Sequence, residues 1–234
     1  MRARRTLSRR VLGVVLLTLG ATTALAPPVS ADEARSLLTY SCRGGTPIGV
    51  IYGYAYQDVA ATAPPTVQPG GQLSVVITPA PNRLPTHVYN RTLLEIGDIT
   101  IRVPVPDNAA LQEATLTGGS GYTGTATVTR DGHRRVVIRI PGTITAGGEF
   151  VLPQLTLRLT AGYWGTIRTT LAGFDFRRPQ LSFTASVRGL GGGTAAVGAQ
   201  CHPRPNTVLT STRIGVAGSR AVPVTRLDGA RERS

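Results

Sequence analysis

The stretch Thr123-Gly124-Thr125-Ala126-Thr127-Val128-Thr129-Arg130-Asp131-Gly132-His133-Arg134-Arg135-Val136-Val137-Ile138-Arg139-Ile140 carries a turn signal, Asp131-Gly132, between two arms rich in Thr, Val and Ile. A two-residue loop would set Val128 opposite Arg135 and Thr127 opposite Val136, which mixes apolar and polar faces. A three-residue loop of Arg130-Asp131-Gly132, with Gly at the left-handed position, sets Ala126 opposite Val136 and Gly124 opposite Ile138. Thr125, Thr127, Arg135 and Arg139 then share the other face. A one-residue slip flips every side chain to the wrong face, so the expectation is a hairpin with the three-residue loop and a Gly bulge.

Working outward, the same texture recurs. Leu37–Cys42, Ile48–Gln57, Gln72–Thr78, Asp98–Val103, Tyr122–Arg130, Arg134–Ile140, Phe150–Leu159, Trp164–Leu171, Leu181–Arg188 and Thr194–Cys201 are short runs of Val, Ile, Thr, Leu and Tyr bounded by Gly or Pro. In the seventh, Leu155, Leu157 and Leu159 alternate with outward Thr156 and Arg158, and Pro153 marks an edge or a strand start. Only His87–Glu95 and Asn108–Glu113 could hold a short helix. There is no βαβ rhythm and no repeat of fixed period. The expected fold is all-β: an immunoglobulin-like or jelly-roll β-sandwich of about ten antiparallel strands with little helix.

The 234 residues include 28 Gly and 17 Pro, which is too punctuated for a helical bundle, and 41% hydrophobic residues, which is too apolar for a disordered chain. Residues 1–31 hold Arg2, Arg4, Arg5, Arg9 and Arg10 and no acid, then the mildly apolar run Val11–Ala26, Pro27-Pro28, and the small residues Val29-Ser30-Ala31. That is the pattern of a signal peptide cleaved after Ala31, since the apolar run is short of the ~20 residues of a membrane span. No transmembrane segment is expected after cleavage. Ser8-Arg9-Arg10-Val11-Leu12 also fits a twin-arginine export signal, and the general secretory route remains open beside it. The net charge of +13 comes from 25 Arg, with no Lys, against 12 acids. Much of it sits in the leader and in residues 209–234, which carry five Arg. The body, 32–208, holds scattered Arg without a basic groove, so nucleic acid is not an expected partner. Residues 209–234 are expected as a flexible Arg-containing tail, although a weak Val/Ile pattern in Thr207–Val216 allows one more strand.

Two cysteines in an exported chain are expected to pair. A Cys42–Cys201 bridge would join the first strand to the last and make 42–201 one folding unit. Two cysteines with His202 alongside do not make a zinc site, which needs four spaced ligands or three and water.

Leu38-Thr39-Tyr40-Ser41-Cys42 near the mature start, Gly121-Tyr122-Thr123-Gly124-Thr125-Ala126, Val151-Leu152-Pro153-x-Leu155-x-Leu157 and a lone late Cys together resemble a group of actinobacterial secreted β-sandwich proteins of unknown function with a single disulfide. The resemblance spans most of 37–203 and rests on turns, strands and cysteines. It implies the fold and the compartment, and brings no catalytic residues with it.

No catalytic set emerges. His87 sits in a Pro-bounded loop, His133 follows the hairpin turn, and His202 decorates a strand end. Gly118-Gly119-Ser120-Gly121 lacks the second glycine of a nucleophile elbow, because that position is Tyr122. Asp98 and Asp107 are expected to flank a strand; Asp98 and Asp175 would have to face each other across a cleft to act as a glycosidase pair. No phosphate, calcium or zinc motif is present, and no cofactor or metal is expected.

One pattern stands out. In Val50-Ile51-Tyr52-Gly53-Tyr54-Ala55-Tyr56-Gln57, Tyr52, Tyr54 and Tyr56 lie on one face of a strand and Ile51, Gly53 and Ala55 on the other. The rings either form a flat stacking platform for ligand or pack inward. Trp164 with Tyr163 is either a second aromatic contact or, as the expected reading, part of the core, where sandwiches often bury a Trp. The expected function is a secreted or cell-envelope-associated protein without enzymatic activity, with a binding, adhesive or structural role. Cell-wall polysaccharide or another envelope protein is the candidate partner. The alternatives are a carbohydrate-binding module using the Tyr row and a secreted hydrolase.

Overall fold

The computed structural model describes residues 32–46, 49–171, 173, 175–189 and 192–215. The expected signal peptide, its cleavage point and most of the expected tail lie outside the described residues. The described chain forms sixteen strands and no helix. They are β1 (Asp32–Thr46), β2 (Gly49–Ala63), β3 (Thr66–Val67), β4 (Gln72–Pro79), β5 (Asn82–Arg83), β6 (His87–Val88), β7 (Arg91–Pro104) and β8 (Ala109–Thr117). The second half comprises β9 (Thr127–Asp131), β10 (Arg135–Thr145), β11 (Glu149–Phe150), β12 (Gln154–Ala161), β13 (Thr166–Thr170), β14 (Leu181–Arg188), β15 (Thr194–Pro203) and β16 (Val208–Ile214). All ten runs expected as strands contribute strand. The two segments that could have been helical are β6 with the start of β7, and β8.

One eleven-stranded sheet carries the fold, in the order β8-β12-β4-β2-β1-β15-β14-β7-β10-β9, with β6 added on β7. Every pairing in it is antiparallel. The all-β, antiparallel architecture therefore stands, and its two walls are halves of one sheet that folds back on itself. Leu38, Val59, Ile77 and Leu155 from one half enclose a small void together with Ile101, Val103 and Ile138 from the other. The terminal strands β8 and β9 are tied by one side chain. The Arg130 guanidinium in β9 donates through Nη2 to the carbonyls of Leu111 (2.9 Å) and Gln112 (2.8 Å) in β8.

Alternation fixes the faces. Leu155, Leu157 and Leu159 are buried as expected, and β12 starts immediately after Pro153. Val136, Ile138 and Ile140 are buried as well. The β9–β10 hairpin departs from the expected register. Its three-residue loop is Gly132-His133-Arg134, with Asp131 opposite Arg135, Arg130 opposite Val136 and Val128 opposite Ile138. Gly132 does adopt the left-handed conformation (φ 63°), but it opens the loop and does not close it. Relative to the expected pairing the partner strand is shifted by an even number of residues, so the faces survive: Thr127, Arg135 and Arg139 still share one side.

The Gly121–Ala126 arm is not strand. There Thr123 crosses β10: its N–H donates to the Thr143 carbonyl (3.1 Å), and the Thr143 N–H donates to Thr123 Oγ1 (2.9 Å). Gly142 makes the crossing possible, since a Cβ at that position would overlap the Thr123 carbonyl.

A small sheet, β13-β16-β3, closes one end. Here the domain boundary moves. Residues 208–214, placed mostly in a flexible tail by the sequence reading, form the strand that the weak Val/Ile pattern allowed. Leu209, Thr210, Thr212 and Ile214 are buried, and Thr212 Oγ1 donates to the Pro64 carbonyl (2.7 Å). Cys201 is correspondingly in the penultimate strand.

Candidate functional site

β1 and β2 form a long hairpin paired from Asp32–Ala63 to Thr46–Gly49. On its other side β2 pairs with β4 only through Val59–Thr62. Above that point, among the described residues, the edge of β2 is held to the next segment by scattered polar tethers and not by strand pairing. The Ala80 N–H donates to the Asp58 carbonyl (2.8 Å), and Asn82 Nδ2 donates to the Tyr56 carbonyl (2.8 Å). The wall opens here, and the space behind it is a cavity of about 550 Å³. That is within the ~300–1,000 Å³ of small-molecule sites.

Strand alternation builds the lining. Ile51, Gly53 and Ala55, the small face opposite the tyrosines, form part of one wall. Phe183, Ala185 and Val187 of β14, Val197 and Ala199 of β15, and Leu93 and Ile96 of β7 continue it. The segment 82–89 supplies Leu84, Pro85, Val88 and Tyr89. The Tyr89 ring lies over Gly53, where an added Cβ would come within 3.9 Å of it. Tyr89 is exposed and sits at φ 54°, a conformation uncommon for a residue with a bulky side chain.

The polar complement is small. Gln57, buried, is fully used: its Nε2 donates to the Asp58 and Ala80 carbonyls (both 2.8 Å), and its Oε1 accepts from Asn82. Burial pushes the Tyr40 hydroxyl well above the ordinary tyrosine range. Two lining residues are charged, Arg83 and Arg91, and no carboxylate lines the cavity among the described residues. Little in the sequence marks this site. Its lining comes from β1, β2, β7, β14 and β15, from the segment 82–89 and from Phe150 and Leu152, and only the small residues Gly53 and Ala55 hint at space.

Cys42 and Cys201 stand directly opposite in β1 and β15 and form the expected disulfide. Cys42 also lines the cavity, so the bridge pins the two strands that make its wall.

Tyr52, Tyr54 and Tyr56 are 54%, 69% and 55% exposed, which settles their direction: outward. They sit opposite Arg43, Ser41 and Thr39 of β1. Phe176 covers one end of this face, with its ring 5.9 Å from that of Tyr52 and 4.8 Å, edge-on, from that of His202; the Arg43 guanidinium lies 5.3 Å from its centroid. Trp164, expected in the core, is instead 80% exposed with Tyr163 beside it. Both lie in the Gly162–Gly165 turn between β12 and β13, which is fastened by the Gly162 N–H to the Asn108 carbonyl (2.7 Å). The inward position after the turn is filled by Ile167.

The remaining candidates for chemistry are dispersed. His87 and His133 are exposed, and His202 is half-buried against Phe176. Asp98 lies inside β7 at φ 52°, not at its end. Asp175 Oδ1 accepts from the N–H groups of Arg177 and Arg178 (both 2.9 Å), and these bonds hold its carboxyl below the usual range. That carboxylate organises a turn. Ser120 is held in an isolated bridge to Val151.

No family model matches the chain, and no curated protein matches it. A solved structure from Corynebacterium diphtheriae, described as a "Putative membrane anchored protein", is similar to it with a TM-score of 0.47 and 14% identity over 80% of this chain and 38% of that one. The chain thus spans well under half the length of that neighbour.

Proposed function

We propose that this is an exported, envelope-associated binding protein that holds an apolar ligand without transforming it. The observation that carries this reading is the cavity of about 550 Å³ lined chiefly by aliphatic and aromatic side chains. The disulfide supports an extracytoplasmic location. The lining contains no histidine and no carboxylate among the described residues, which favours retention over acid–base chemistry.

The test is titration with a neutral fluorophore such as N-phenyl-1-naphthylamine. One saturable site is expected, and Ala185→Phe, which fills the cavity from β14, should abolish it in a protein that still melts cooperatively. Unchanged binding by the folded Ala185→Phe variant would overturn the reading.

A second reading is favoured by the exposure of Tyr52, Tyr54 and Tyr56: a carbohydrate-binding face on the outside of the same hairpin. Cell-wall polysaccharide binding that Tyr54→Ala weakens and Ala185→Phe leaves intact would assign that role.

A further inference from the structure

We infer that the cavity takes a single-tailed amphiphile with an anionic head, a long-chain carboxylate or phosphate monoester, with the head held at Arg91. This rests on the apolar-ligand reading and adds the chemical class. The two ionised side chains that line the cavity among the described residues are both cationic. The ion pairs among the described residues involve Arg35, Arg135 and Arg158, so neither Arg83 nor Arg91 is neutralised by a carboxylate there.

Of the two, Arg83 is already engaged. Its Nε donates to the Gly147 carbonyl (2.8 Å), and Glu149 stands opposite it in the β5–β11 pair. Arg91 is half-buried at the start of β7, with no hydrogen bond from its guanidinium among the described residues. Its Nη1 would lie 3.3 Å from a Cβ at Gly189, so the absence of a side chain at 189 leaves room beside the guanidinium. A planar guanidinium offers a forked pair of donors that matches a carboxylate or phosphate.

The tail follows from the volume and the lining. At roughly the 30 Å³ of a water-sized group, about 550 Å³ accommodates some eighteen methylene-sized groups, the scale of one chain. Ile51, Ala55, Phe183, Val187 and Val197 give it an apolar wall. Each buried methylene should tighten binding about fourfold.

Displacement of N-phenyl-1-naphthylamine from the wild-type protein by dodecanoate, dodecyl phosphate and dodecanol tests the proposal. The two anions should compete at least tenfold better than the alcohol, and dodecanoate far better than octanoate. Arg91→Gln should bring the anions to the level of the alcohol without affecting the alcohol. Whether carboxylate or phosphate is preferred identifies the source of the head. In the wild-type protein, raising the salt concentration should erode the anion preference, a check that does not depend on the variant folding. Equal competition by dodecanol and the anions would overturn the head assignment and leave the apolar-ligand reading intact. Failure of all three to displace a probe that does bind would overturn the amphiphile. Failure of the probe itself to bind would remove both readings.

Discussion

At the scale of single residues, exposure and clearance decide what a substitution does. Tyr54 is 69% exposed, so Tyr54→Ala should leave stability within about 0.5 kcal/mol in thermal denaturation. A loss of the ~3–5 kcal/mol typical of deleting a buried aromatic would contradict the outward placement. Gly142 is the opposite case. It is a small residue in the middle of a strand, and a Cβ there would meet the backbone of Thr123 and not a flexible side chain. Gly142→Ala should therefore cost about 1–3 kcal/mol or more, measured by urea unfolding, because the crossing chain must move. The grouping of Tyr52, Tyr54 and Tyr56 was legible from period-two spacing, but their direction was not. Alternation says which residues share a face; hydrophobicity alone would turn three rings inward. The inward face carries Ile51, Gly53 and Ala55 because a cavity, not a packed layer, lies behind it. Trp164 lies outside the core for a related reason: its size suggests burial, whereas the glycines at 162 and 165 mark the tip of a turn.

At the scale of elements, the β9–β10 hairpin shows what a binary pattern can fix. Odd slips invert the faces and are excluded by the burial of Val136, Ile138 and Ile140, but even slips preserve every face and leave the choice to the turn and to distant partners. The distant partner here is β8, and Arg130 reaches it from a strand position. In the register read from the sequence Arg130 would sit in the loop. The ion pair of Asp131 with Arg135 (3.3 Å) spans the loop, but it is exposed and adds little. The clamp from Arg130 to the Leu111 and Gln112 carbonyls is the contact to test. Arg130→Ala should destabilise by roughly 1.5–3 kcal/mol, the range for hydrogen bonds to a charged donor, with faster amide exchange along β8 as the local signature. Arg130→Lys should recover only part of the loss, because an ammonium lacks the fork that spans two carbonyls. Equal stability of Arg130→Ala and wild type in urea would show that packing alone holds the two sheet ends together.

At the scale of the molecule, the disulfide sits at the middle of the sheet. Five strands, β8, β12, β4, β2 and β1, lie on one side of the β1–β15 seam, and six, β15, β14, β7, β10 and β9 with β6 added on β7, on the other. The pairing was legible because two cysteines in a chain expected to be exported leave one partner each. Its central position was not, since strand order depends on long-range pairings that a local pattern does not encode. Cys42 and Cys201 are 159 residues apart, so the bridge removes a large loop-closure entropy from the unfolded chain. Replacing both with Ala should cost about 2–5 kcal/mol, the upper end following from the loop length in the chain-entropy account. For a domain of this size that lowers the melting temperature by roughly 4–20 °C. The seam also forms a cavity wall through Cys42, Val197 and Ala199, so ligand and bridge stabilise the same junction. Saturating N-phenyl-1-naphthylamine should therefore raise the melting temperature of the double variant as well as that of the wild type, because a ligand that binds only the folded state stabilises by mass action. Cooperative melting of the double variant in a single transition, lower than wild type and raised by the probe, is the expected result. Two separate transitions would show that the halves fold independently and that the seam, not the cavity, is what the bridge secures.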